Sequence, residues 1–166
     1  MSETAKNRQH TLPYLKGNGI DIGCGSDPVT DQCIGIDLPH AAFTHYNGLS
    51  ENNARLHAFA DDLPFKDHVL DFVYSSHLLE DFAAEEWPRL LREWVRVLKP
   101  GGTLVILIPE VNLWRAAVAA GQPPNDAHKH EGTVGELSAL APLVGVEPIR
   151  DEQIGDYSIL FVGKKL

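Results

Sequence analysis

The sequence contains no long apolar run. No stretch approaches the ~20 apolar residues that a membrane-spanning helix needs, and the opening residues, MSETAKNRQH, lack the apolar centre of a signal peptide. Only two residues are cysteine, which is more typical of a reduced compartment than of a disulfide-stabilised fold. From these absences we expect a cytoplasmic protein that does not enter a membrane.

Positive charge is also scarce. Fourteen Lys and Arg residues stand against 23 Asp and Glu residues, so the formal net charge is −9. Such a surface repels nucleic acid unless basic residues are concentrated in one patch. The basic residues that do cluster, Arg89, Arg92, Arg96 and Lys99, have the spacing of one solvated helix face. We therefore do not expect a nucleic-acid partner.

A glycine is missing at one informative position. The apolar segment 19–22 predicts a short buried strand that runs into Gly23-Cys24-Gly25, where the bare backbone can contact a ligand. The third glycine of a dinucleotide-binding G-x-G-x-x-G loop is absent, and Asp27-Pro28 follows instead. A second strand, predicted at 33–37, leaves little room for the helix whose N-terminus would hold a pyrophosphate. The first helix is therefore expected to be shortened or missing.

An acidic residue closes this second strand. Asp37 is placed to accept hydrogen bonds from both ribose hydroxyls of a ligand bound at the glycine loop. Because the anion site for a pyrophosphate is missing, an adenosine ligand without phosphates fits the pattern better. These features together indicate S-adenosylmethionine.

Four blocks of sequence then follow one another between Gly19 and about Pro109. They are IDIGCG at 20–25, IGID at 34–37, DDLPF at 61–65 leading to LDFVYSSHLLE at 70–80, and LREWVRVLKPGG at 91–102. In this order and roughly this spacing they resemble the class I, Rossmann-like methyltransferases that depend on S-adenosylmethionine, in the small-enzyme group often labelled type 11. The resemblance implies one three-layer α/β domain over 1–166, with a mainly parallel sheet of seven strands whose last strand is antiparallel.

The remaining pattern agrees with this architecture. Helices are predicted at 84–98, 111–120 and 133–143, the last with Thr133 as N-cap and Glu136 completing a capping box. Further strands are predicted at 55–60, 70–75, 104–108, 146–149 and 157–162. Residues 1–9 are expected to be frayed, with a short helix over 10–16 and a loop over 39–54. Since one face of the first two strands lacks a helix, the N-terminal segment or a partner subunit, such as a second copy in a homodimer, is expected to cover it.

The resemblance also implies a set of cofactor-binding residues where the strands end. They are Asp21, Gly23, Cys24 and Gly25 in the first strand and its loop, Asp37 and Leu38 after the second, Asp61, Asp62 and Leu63 after the third, and Ser76 and His77 after the fourth. The family's adenine-binding acid falls where this chain has Phe59, so Asp61 is our choice over a simple surface charge. Asp21 is equally open to interpretation as a structural acid bonded to N–H groups of the loop.

The reaction itself requires few catalytic side chains. Methyl transfer from a sulfonium needs alignment and a dry site, and a general base helps where the acceptor is an oxygen. Histidine is the usual base near neutral pH. The candidates are His77, and His128 and His130 in a polar loop over 121–132 that we expect to have few buried contacts and to be mobile. Each lone histidine could instead be an exposed residue, and Glu80 or Asp81 are alternative substrate-binding residues. No metal site has a diagnostic spacing.

Three functions are compared. The leading hypothesis is methyl transfer to a small-molecule or glycan acceptor, the glycan resting only on resemblance to short methyltransferases with the same opening motif. The alternative is a non-catalytic S-adenosylmethionine-binding module or a partner subunit of a larger methyltransferase. A nucleotide-dependent oxidoreductase is disfavoured by the missing third glycine and helix.

Overall fold

A computed structural model describes residues 2–39 and 53–166, so most of the loop predicted over 39–54 lies outside the described residues. Within them, one sheet has the strand order β3-β2-β1-β4-β5-β7-β6. The strands are β1 Gly19–Ile22, β2 Ile34–Asp37, β3 Leu56–His57, β4 Leu70–Ser76, β5 Leu98–Pro109, β6 Val146–Ile154 and β7 Ser158–Lys165. The pairs from β3 to β5 are parallel, and β7 is antiparallel to both neighbours. The predicted Rossmann-like sheet is confirmed.

Four helices flank the sheet in the described part of the chain. They are α1 Glu3–Thr11, α2 Trp87–Val97, α3 Val111–Ala119 and α4 Glu136–Leu140. None of the helices in these ranges has the length and apolar character needed to cross a membrane. The helix predicted over 133–143 is shorter, since Pro142 lies in a 3₁₀ turn over Ala141–Val144. Glu136 does accept the Thr133 N–H at 3.1 Å, as in a capping box, but Gly135 is the N-cap.

The two faces of the sheet bury separate apolar clusters. Val73 of β4 belongs to one cluster, whereas its neighbours Phe72 and Tyr74 belong to the other, as strand alternation requires. The first cluster includes the apolar stripe of α2, whose Trp87 and Trp94 are completely buried. The predicted amphipathic helix is therefore confirmed, and both tryptophans are core residues.

No helix forms in the connection from Ile22 to Ile34. Instead, Val29 and Cys33 are buried and belong to the second apolar cluster. The expectation that the first helix is missing is confirmed. An irregular segment fills its place by packing single side chains against the sheet.

The N-terminal segment is a helix, so the expectation of a frayed end is wrong for the described residues. Ser2 caps α1 by accepting the Ala5 N–H at 3.0 Å. Arg8 donates to the Val29 carbonyl oxygen at 3.0 Å and pairs with Asp27. α1 thus covers the connection that replaces the first helix. Polar contacts hold it in place, which explains why apolar periodicity did not reveal it.

Asn7 provides a test of this packing. Its buried amide donates to Ser158 Oγ and to the Glu3 carbonyl oxygen, both at 3.2 Å. Asn7→Ala should lower the free energy of unfolding by about 1–3 kcal/mol, because the buried hydroxyl loses a donor. Gln9→Ala, at an exposed position of the same helix, is the matched control and should change it by less than about 0.5 kcal/mol. Chemical denaturation measures both, and equal effects would contradict the assigned contact.

Candidate active site

The glycine loop leaves β1 with two residues in the left-handed region. Gly23 has φ 75° and Gly25 has φ 53°, values that favour glycine. A Cβ built on Gly25 would meet no atom of the described residues within 4 Å, whereas one on Gly23 would lie 3.0 Å from Leu78. Cys24 is buried, and its Sγ would lie 2.8 Å from a Cβ on Gly35, so this side chain packs inward. The loop therefore offers its backbone, with open space at Gly25.

Asp37 lies directly beside this loop. Its Oδ2 accepts the Gly25 N–H and its Oδ1 accepts the Leu38 N–H, both at 2.8 Å. Burial raises the pKa of the carboxyl group above its usual range. Each carboxylate oxygen can accept a further hydrogen bond, so the contacts of Asp37 with the described residues are compatible with the pair of ribose bonds predicted from the sequence.

Asp21 supports the loop from inside the sheet. It is almost completely buried, and its Oδ2 accepts the Val29 N–H at 2.7 Å. Burial raises the pKa of Asp21 to about 7, with the neighbouring Asp37 and Asp27 carboxylates adding to the shift. The second interpretation of Asp21, a structural acid bonded to a loop N–H, thus has a direct contact in the structure.

The turn after β3 is attached to α2. Asp61 forms an ion pair with Arg89, and the buried Leu63 donates its N–H to Glu93 Oε1 at 2.8 Å. The Asp62 N–H donates to the Phe59 carbonyl oxygen at 3.2 Å, while the Phe59 side chain is 64% exposed. The sequence-predicted adenine acceptor Asp61 therefore already has a cationic partner in this structure.

The end of β4 carries Ser76, which is buried, and His77, which has φ 53°. A positive φ is uncommon for a residue other than glycine, but histidine adopts it more often than most residues do, and His68 also has φ 58°. His77 Nε2 lies 3.0 Å from Ser158 Oγ, and its Nδ1 lies 3.2 Å from Glu80 Oε1. The backbone N–H of His77 donates to the Leu107 carbonyl oxygen at 2.9 Å, which fixes the residue against β5.

Glu80 brings two of the three predicted histidines together. Its carboxylate has no solvent exposure and lies 3.2 Å from His77 Nδ1 and 3.7 Å from His128 Nε2. His128 Nδ1 lies 3.4 Å from Glu131 Oε1, and its ring packs against Trp114 with 5.0 Å between centroids. His130 is separate, with Nε2 2.6 Å from Glu136 Oε1 and its ring edge on Trp87. In the described part of the chain, no group of three or more His, Cys, Asp or Glu side chains has the arrangement of a metal site.

The second half of the loop over 121–132 is bound to its surroundings. The Glu80 carbonyl oxygen accepts the Lys129 N–H at 2.8 Å and the His130 N–H at 3.1 Å. The Gly132 N–H donates to the Pro109 carbonyl oxygen at 3.0 Å. The expectation that this loop has few buried contacts is therefore wrong from His128 onward, because its contacts come from residues distant in sequence.

Sequence reasoning missed Ser158 and Trp114 as neighbours of the site. Ser158 begins β7, and the antiparallel register places it opposite Pro109 at the carboxyl end of β5. No local motif marks such a position. By contrast, the three-residue spacing of His77 and Glu80 is visible in the sequence and could have suggested their contact.

The comparisons with known proteins decide the family. Residues 20–106, more than half of the chain, match the family described as a methyltransferase domain. The chain belongs to this methyltransferase-domain family. The family's cofactor is S-adenosylmethionine, as the sequence predicts, and the open backbone at Gly25 with the adjacent Asp37 carboxylate fits an adenosine ligand.

Individual proteins are also similar to this chain. An uncharacterised protein of Methanocaldococcus jannaschii is 33% identical over 96 residues, which are 55% of this chain and 44% of the relative. The chain therefore spans less than half the length of this curated relative. A solved structure from Thermotoga maritima, described as a SAM-dependent methyltransferase and possible histamine N-methyltransferase, has a TM-score of 0.73 at 20% identity, covering 98% of this chain and 89% of that one. A SAM-dependent methyltransferase of Archaeoglobus fulgidus has a TM-score of 0.73 at 19% identity, with 98% and 92% covered. These structures share the fold.

The pH dependence of stability tests the buried Asp21. Its pKa is about 7 in the folded protein against 3.8 ordinarily, so the unfolded chain loses this proton first as the pH rises. The folded state consequently loses stability between about pH 4 and pH 7, by roughly 1.4 kcal/mol for each pKa unit. Asp21→Asn should flatten this fall, since the amide does not ionise and its oxygen can still accept the Val29 N–H. Denaturation at a series of pH values measures the slope.

Asp31→Asn is the matched control for that experiment, because Asp31 is exposed in the same connection between β1 and β2. It should leave the slope as in the wild type. If Asp21→Asn also leaves the slope unchanged, the raised pKa of Asp21 is refuted.

Proposed function

We propose that this chain transfers a methyl group from S-adenosylmethionine to a small-molecule or glycan acceptor. The observation that carries the proposal is the hydrogen bond from the Gly25 N–H to Asp37 Oδ2, beside open space at a left-handed glycine. This arrangement lies where parallel strands end, the edge at which open α/β sheets bind ligands. Membership of the methyltransferase-domain family supplies the reaction class.

The proposed cofactor site follows the ends of the first four strands. Asp37 binds the ribose hydroxyls, and the loop Gly23–Gly25, above Asp21, contacts the cofactor through its backbone. Leu38, Asp61, Asp62 and Leu63 surround the adenine, and Ser76 and His77 line the methionine portion. The parallel register of β2, β1 and β4 supports this placement, because it brings Asp37, Gly23 and Ser76 to the same edge of the sheet.

The chemistry needs little beyond positioning. The bound donor supplies a methyl group already activated by its positive sulfur, and the protein aligns the acceptor with it and excludes water. The sequence predicts His77, His128 and His130 as groups that act on the acceptor, and the first two lie around Glu80 next to the turn that contacts Gly23. The net charge of −9 argues against a nucleic-acid acceptor.

A binding module without its own activity is the second candidate. The curated relative extends well beyond the matched region, since the match covers 44% of it. In this second candidate function, the additional residues of the longer relative would bind the acceptor. This chain would obtain the corresponding elements from a partner, including a second copy of itself.

Binding of S-adenosylhomocysteine tests the cofactor site. Calorimetric titration should give a measurable heat, and ligand at 100 times its dissociation constant should stabilise the fold by about 2.7 kcal/mol. Asp37→Ala should weaken binding by about 1.5–3 kcal/mol, because the ribose loses a charged acceptor. Asp31→Ala, an exposed acid in the connection before β2, is the control and should bind as the wild type does. An unchanged dissociation constant for Asp37→Ala would remove Asp37 from the site.

A transfer assay separates the two candidate functions. Methyl-labelled S-adenosylmethionine would be incubated with catechol, tyramine and maltose, which represent phenol, amine and glycan acceptors. Transfer of the labelled methyl group to any one of these acceptors supports the methyltransferase function. Tight binding of S-adenosylhomocysteine with no transfer to any class of acceptor would favour the binding module.

A further inference from the structure

The turn after β4 lies against the glycine loop. Leu78 supplies the atoms that a Cβ on Gly23 would meet, and the 3₁₀ turn Leu79–Asp81 follows it directly. The Asp81 N–H donates to the Leu78 carbonyl oxygen at 3.1 Å, which closes this turn. Asp81 therefore sits at the edge of the proposed site, next to the loop that contacts the cofactor.

His77 has no ring nitrogen free for a substrate. Its Nε2 is 3.0 Å from the Ser158 hydroxyl, which also accepts the Asn7 amide, and its Nδ1 is 3.2 Å from Glu80. Whichever tautomer the ring adopts, both nitrogens face a protein partner. This chain of contacts holds His77 in place and leaves it no lone pair with which to take a proton from a ligand.

His128 is engaged in the same way. Its two nitrogens face Glu131 and Glu80, and its side chain is only 5% exposed beneath Trp114. Glu80 itself has no exposed surface, so its carboxylate is not accessible to a ligand in this structure. The three residues thus form a closed cluster beside the site.

Asp81 differs from this cluster in its exposure. It is partly exposed, whereas Glu80 is fully buried. Its Oδ1, like both Glu80 carboxylate oxygens, is buried with no hydrogen-bond partner in the described part of the chain. Burial raises the pKa of Asp81 to about 7, Glu80 adds to the shift, and His77 and Lys129 oppose it. A general base works best when its pKa lies near the working pH.

We propose that Asp81 is the group that accepts the proton of the methyl acceptor, an inference that rests on the proposed function. A lone pair of the acceptor atom forms the new bond to the methyl carbon while the carbon–sulfur bond breaks. The electrons of that bond stay on the sulfur of S-adenosylhomocysteine. The proton leaves the acceptor atom for the Asp81 carboxylate and then passes to water, so no further reactant is needed.

Direct titration is the first test, and it does not depend on activity. Carboxyl carbons of ¹³C-labelled aspartate would be followed by NMR against pH in the wild type, Asp81→Asn and Asp156→Asn. Asp156 is an exposed acid next to Tyr157 and serves as the control. Two resonances, those of Asp21 and Asp81, should have midpoints near pH 7 in the wild type. One of them should disappear in Asp81→Asn, and both should persist in Asp156→Asn. A midpoint near 4 for Asp81 would overturn the proposal.

Turnover is the second test, with whichever of catechol, tyramine and maltose takes up label fastest. Asp81→Asn should lower kcat/KM by about 10²–10⁴-fold, and the fall in rate below pH 7 should vanish. Its dissociation constant for S-adenosylhomocysteine should stay within about twofold of the wild type. Asp81→Glu should retain part of the rate, because it keeps a carboxylate, and Asp156→Asn should retain all of it.

His130→Ala is the competing variant, because His130 lies outside the Glu80 cluster and is about one-third exposed. Full turnover in Asp81→Asn would overturn the role of Asp81. The same conclusion would follow if the fall in rate below pH 7 vanished in His130→Ala instead. Neither result would contradict the proposed methyltransferase function. Failure of the wild type to bind S-adenosylhomocysteine would overturn the proposed function and this inference with it.

Discussion

The absence of a helix between β1 and β2 is the constraint on which the rest of the site depends. A helix would have satisfied its own backbone groups and covered the sheet with one apolar face. Here the Val29 N–H is accepted by the buried Asp21 carboxylate, and Arg8 binds the Val29 carbonyl oxygen. α1 and the buried Asp21 therefore take the place of the missing helix, and they do so through polar contacts. The polar character of the first ten residues follows from this arrangement.

The same constraint shapes the glycine loop. With no helix N-terminus available, the Gly25 N–H is directed to Asp37 rather than to an anion of the ligand. The carboxylate consequently has two functions in the proposed site, fixing the loop and binding the ribose. This is a physical reason why the loop suits an adenosine ligand without a pyrophosphate, which the sequence suggested from the missing third glycine, the short connection to the second strand and Asp37.

Much of the fold could be predicted because its signals are local. The strands around Ile20, Val73 and Ile106 are apolar runs, and α2 has an apolar stripe with Pro88 in its first turn. The glycine loop and Asp37 are recognisable from spacing. α1 was missed because Asn7 and Arg8 contact residues distant in sequence, and no periodicity encodes such contacts. The packing of His128 on Trp114 and Glu80 is hidden for the same reason.

Two acids of this chain show why a raised pKa does not by itself identify a catalytic group. Burial raises the pKa of both Asp21 and Asp81 to about 7. Asp21, however, is buried beneath the glycine loop and accepts a hydrogen bond from the Val29 N–H, so its protonation is coupled to folding. Asp81 is partly exposed and has a buried oxygen with no partner in the described residues, so its protonation can respond to a ligand. Partners and exposure, rather than the size of the shift, separate a structural acid from one that can serve the reaction.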